Sequence, residues 1–125
     1  MDKQGLEERL ISFAVLIVEI IGTMPDTRAA NHLAGQLLRS GTSPALNYGE
    51  AQSGESRKDF IHKIQIVLKE LRESHVCLKI ISRTQQYGSK DKIDLALGEC
   101  NELISIFVKS VATARKNDEQ KSMIS

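Results

Sequence analysis

The sequence predicts an all-α fold, an antiparallel up-and-down four-helix bundle. Three observations predict it. Apolar residues recur at alternating spacings of four and three along most of the chain. Only two prolines, Pro25 and Pro44, occur in 125 residues, which leaves room for long helices. Aromatic residues make up 4% of the chain and Trp is absent, so the core must be built from Leu, Ile, Val and Ala, side chains suited to helix-on-helix packing. A chain of this length buries a core without disulfide or metal staples. The expected organisation is one bundle over residues 1–115, followed by a polar, disordered tail over 116–125.

The first helix is expected from about Leu6 to Met24, where Leu6, Leu10, Phe13, Ile17, Ile20 and Met24 form the seam. Ile11, Val15 and Val18 add a second apolar face, and a helix apolar on two sides needs cover on two sides. Gly22 and Pro25 end it. The second segment starts at Asp26-Thr27, both good caps, with Ala30, Leu33, Ala34, Leu37 and Leu38 facing inward. Within it, Gly41 reads as a stop and Ser43-Pro44 as a restart, so the helix is expected to kink or break near Gly41–Pro44. The third helix has the clearest start, Ser56-Arg57-Lys58-Asp59 at capping-box spacing. Phe60, Ile64, Val67, Leu71, Ser74, Leu78 and Ile81 form its seam as far as a loop at Tyr87-Gly88-Ser89. The fourth begins near Asp91 and places Ile93, Leu97, Cys100, Ile104, Phe107, Val111 and Ala114 inward. The short loops make successive helices antiparallel neighbours.

Charge narrows the functional classes. The chain has 17 Lys plus Arg against 16 Asp plus Glu, so net charge alone drives it to neither nucleic acid nor membrane. The distribution is uneven, because residues 55–92 hold 9 of the basic and only 5 of the acidic groups. The longest apolar stretch, from Leu10 to Ile21, contains Ser12 and Glu19 and is shorter than the roughly 20 residues that span a bilayer. The N-terminus lacks the pattern of a signal peptide. Cys77 and Cys100 sit in apolar helical patterns and read as buried, reduced thiols, as in a cytoplasmic protein.

The excess positive charge has a geometry. Lys58, His62, Gln65, Lys69, Arg72, Val76 and Lys79 each stand two positions before a seam residue of the third helix, and Arg83 continues their spacing. Two residues turn a helix by about 200°, so this stripe faces away from the core. Five of its eight positions are Lys or Arg. Aligned cations of this kind bind phosphate backbones, and the candidate surface for RNA or DNA is Lys58, His62, Lys69, Arg72, Lys79 and Arg83. The same stripe also reads as a solvated outer face, partly neutralised by Glu70 and Glu73. A second constellation, Arg39, Ser43, Asn47 and Glu50, shares one side of the second helix and reads as a polar network fixing packing or an interface.

No catalytic set emerges. There is no Gly-rich phosphate loop, no helical phase that pairs a nucleophile with a base, and only one loose copy, Asp59-x-x-His62, of the Glu-x-x-His pattern of di-iron bundles. The expectation is no enzyme, no cofactor and no metal.

The run from Gly35 to Gln52, with Arg39, Ser43, Asn47 and Glu50, is followed by Ser56-Arg57-Lys58-Asp59-Phe60-Ile61-His62-Lys63 and Lys69-Glu70-Leu71-Arg72-Glu73. Together these resemble the bacterial four-helix-bundle family of proteins encoded by intervening sequences in 23S ribosomal RNA genes. The accessory variability protein of diversity-generating retroelements shares that fold. The resemblance covers about residues 6–115. It implies an antiparallel bundle that assembles into a ring-like homopentamer, with the family's polar motif on Arg39, Ser43, Asn47 and Glu50. It implies nucleic acid and a reverse transcriptase as partners only for members within retroelements. Those members are strongly basic, and this near-neutral chain is not assigned to them.

Overall fold

The structure, a computed structural model, describes residues 2–54 and 56–124. It contains four helices: α1 Lys3–Gly22, α2 Arg28–Gln52, α3 Arg57–Arg83 and α4 Lys90–Ile124. Each neighbour in sequence packs on the next and α4 closes back on α1, so α1 and α3 stand on one diagonal and α2 and α4 on the other. This is the expected four-helix bundle.

Side-chain caps set the helix starts by satisfying amide donors that have no partner within the helix. The Asp2 carboxylate accepts from the Gly5 amide at 2.7 Å, so α1 begins before Leu6. The Thr27 hydroxyl accepts from Ala30 at 3.0 Å and the Ser56 hydroxyl from Asp59 at 3.1 Å, as expected from the sequence. At α4 the Ser89 hydroxyl accepts from Lys92 at 3.3 Å. The end of α3 is closed differently. Gln85 takes a left-handed conformation, φ 56°, and the amides of Gln85 and Gln86 donate to the carbonyls of Ser82 and Ile81. That is a Schellman closure built without glycine.

Of the two alternatives at Gly41–Pro44, continuation holds: α2 runs through without a break. Pro44 lies inside the helix and forgoes one backbone hydrogen bond, but its ring is buried. Gly41 is not a stop. A Cβ there would lie 2.8 Å from both Ile17 Cγ1 and Ile17 Cγ2, so the glycine lets α1 and α2 approach closely. The tail also differs from expectation. Residues 116–124 continue α4, consistent with a stretch that holds no Gly or Pro, and Ser125 lies outside the described residues.

The core follows the expected seams of α1 and α3, with Leu10, Phe13, Ile17, Ile64, Leu71, Leu78 and Ile81 fully buried. Each such side chain contributes about 1.5–3 kcal/mol by leaving water. In α4, Ile93, Cys100 and Phe107 are fully buried as expected, but Ala96 and Leu103 join them in place of Leu97 and Ile104, which are half-buried. Both are adjacent apolar pairs, so spacing alone leaves the choice to packing. In α2, Leu38 is exposed while Tyr48 is buried with its ring edge-on to Phe107, centroids 5.6 Å apart. At one end of the bundle the α3–α4 loop presses on the α1–α2 loop. Any side chain at Gly88 would collide with the Thr23 carbonyl oxygen.

Candidate nucleic-acid interface

The outer face of α3 carries the cation stripe. Lys58, His62, Lys69, Arg72, Lys79 and Arg83 are all exposed, which places the six candidate residues on one solvent-facing ridge. Gln65 is half-buried. With its amide oxygen turned toward α4 it accepts from Arg115 Nε at 3.0 Å and from a terminal guanidinium nitrogen. Val76 is 56% exposed and interrupts the cations midway.

The neighbouring acids do not neutralise the stripe. Glu70 and Glu73 instead bind Arg39 from α2, at 2.8 Å and 2.5 Å. The Glu73 hydrogen bond first, and then the Glu70 charge, hold the Arg39 guanidinium above its ordinary pKa. Among the described residues, none of Lys58, Lys69, Arg72, Lys79 and Arg83 forms an ion pair. His75, beside the stripe, adds no charge at neutral pH. Burial, and then the Lys79 charge, push its pKa below the usual histidine value.

The motif Arg39, Ser43, Asn47 and Glu50 does not form one network, because each member finds a different partner. Arg39 reaches Glu70 and Glu73 on α3, and Glu50 accepts from Lys63 on α3 at 2.5 Å. Asn47 donates back to the Ser43 hydroxyl at 2.8 Å and to its carbonyl at 3.0 Å. The result is two ion-pair straps between α2 and α3 with a local bond between them. Beneath the straps, the buried Ser74 hydroxyl bonds to Ser40 Oγ at 3.0 Å and to the Glu70 carbonyl at 2.9 Å. The seam spacing already places Ser74 inward, whereas its partner Ser40 carries no apolar signal and is legible only in the structure.

A groove of about 910 Å³ opens along this face, between α2, α3 and the end of α4. Leu33, Leu68, Val76, Ile80 and Val111 give it an apolar lining, and Lys69, Arg72 and Arg115 give it positive charge. Among the described residues no cluster of three or more His, Cys, Asp and Glu has a metal-binding arrangement. Cys77 and Cys100 are buried and free. Burial pushes the Cys100 thiol up to about 12, far from the thiolate that chemistry would need. Among the described residues no helix is long and apolar enough to cross a membrane.

Residues 6–109 match the family model described as 23S rRNA-intervening sequence protein. The chain belongs to that family. A solved structure of a protein of unknown function from the S23 ribosomal protein family of Bacteroides thetaiotaomicron VPI-5482 is similar, at 28% identity and a TM-score of 0.77. The likeness covers 85% of this chain and 97% of the other. No curated protein matches. The two chains share a fold.

Proposed function

We propose that this family member is a non-enzymatic bundle that assembles with copies of itself. The observation that carries this reading is the second face of α1. Val15 is 52% and Val18 53% exposed, Ile11 is exposed beside them, and Leu46 on α2 is 67% exposed next to them. Among the described residues no helix covers that surface, and contiguous apolar patches on soluble proteins mark association sites. The family resemblance sets the expected number at five. Native mass spectrometry tests the reading directly: a multiple of 13.9 kDa supports it, and a monomer at micromolar concentration refutes it.

A second reading gives the α3 ridge a weak, salt-sensitive affinity for RNA or DNA. Its support is that five exposed cations on one helix face have no carboxylate partner among the described residues. The test is a titration of structured RNA at several salt concentrations. Binding whose logarithm falls with log salt, at about 0.9 per phosphate neutralised on a duplex, supports it, and no binding at low salt excludes it. Two buried, unpaired thiols suit a reducing compartment such as the cytoplasm.

A further inference from the structure

The chain carries two unpartnered surfaces that complement each other. The first is the α1 ridge, whose exposed Ile11, Val15 and Val18 follow one another at helical spacing. Glu7 and Glu8 precede them by one turn, and neither forms an ion pair among the described residues. This is the pattern of an acidic amphipathic helix. The second is the groove over α3, where exposed Val76 and Ile80 lie among the cations Lys69 and Arg72. That is the pattern of a receptor for an acidic amphipathic helix.

Apolar surface meets apolar surface and acid meets base only when the two are brought together, and no single chain can do so, because α1 and α3 stand on opposite corners of the bundle. Resting on the self-assembly reading, we infer that the α1 ridge of one copy docks into the α3 groove of the next. The contact joins two different patches and is therefore heterologous. Repeated around a rotation axis it closes a ring, and without closure it extends a filament. The apolar residues supply the affinity, and the charges supply orientation and rate of encounter. Lys69 and Arg72 thereby serve the subunit contact, and nucleic acid is left with Lys58, Lys79 and Arg83, which lie outside the groove.

Charge swapping tests the inference. Lys69→Glu with Arg72→Glu, and separately Glu7→Lys with Glu8→Lys, should each raise the dissociation constant of assembly at least about tenfold, because like charges then face across the contact. All four substitutions in one chain should restore assembly, since the pairing is re-formed with its signs exchanged. Circular dichroism melts confirm that each variant folds. Val15→Asp, at an exposed position, should also dissociate the oligomer. An oligomer that K69E/R72E leaves intact overturns this contact, as does a four-fold swap that stays dissociated. A wild-type monomer overturns the self-assembly reading beneath it, so the two failures are told apart. Loss of RNA binding with no loss of assembly in K69E/R72E overturns the docking assignment and returns those cations to nucleic acid.

Discussion

Gly41 and Gln85 show how single residues hold this bundle in register. A methyl group at Gly41 must push against Ile17, a buried residue with nowhere to go. Gly41→Ala should therefore destabilise by about 1–3 kcal/mol. Gly35, where an added Cβ meets nothing within 4 Å, provides the control. Gly35→Ala should stabilise by about 0.5–1 kcal/mol, because alanine loses less freedom in a helix. Urea melts of the two variants should move in opposite directions. Gln85 holds a left-handed backbone that costs an ordinary residue about 1 kcal/mol. Gln85→Gly should recover most of that and raise the midpoint of unfolding. His75 gives a pH signature. Its folded pKa is depressed, so the unfolded chain binds the extra proton first as pH falls below about 6.5. Stability is present above that value and declines as pH drops toward the folded pKa. His75→Gln should flatten the stability profile between pH 5 and 7.

Helix by helix, the seams of α1 and α3 were legible because one four-three spacing runs along each, even though α1 carries Ile11, Val15 and Val18 on a second apolar face. The α4 seam was legible only to within one residue, since Ala96-Leu97 and Leu103-Ile104 offer two apolar choices each. The continuity of α2 was legible only as one of two alternatives, a kink or a break. A glycine two residues before a serine-proline pair looks like punctuation until Ile17 is seen against it. The cation stripe was placed correctly on the outside by phase alone. Its acid neighbours were misjudged, because the sequence gives no sign that Arg39 crosses from α2 to claim them. The caps offer a check at this scale: Ser56→Ala removes the acceptor for the Asp59 amide and should cost about 1 kcal/mol. Truncation after Arg115 should cost much less, since among the described side chains Ala114 is the last buried apolar one of α4, and thermal melts of the shortened chain measure it.

Across the whole molecule, the near-zero net charge conceals a separation that matters more than the sum. Carboxylates begin α1, and the densest run of cations lies on the diagonal helix α3. Two of the acids that could have cancelled that run are held by Arg39. Assembly through these surfaces should weaken as salt rises, while a contact made only by aliphatic side chains would hold or strengthen. Sedimentation at two ionic strengths distinguishes them.

The diagonal placement of α1 and α3 has a further consequence for mixtures. Each copy has one donor end and one acceptor end, like a link with a hook and an eye. A copy whose hook is blunted by Val15→Asp keeps a working eye. It can join a growing assembly and then offer nothing onward to the next copy. A minority of such chains would stop closure for many intact ones, so the variant would act as a terminator and inactivate far more copies than its own number.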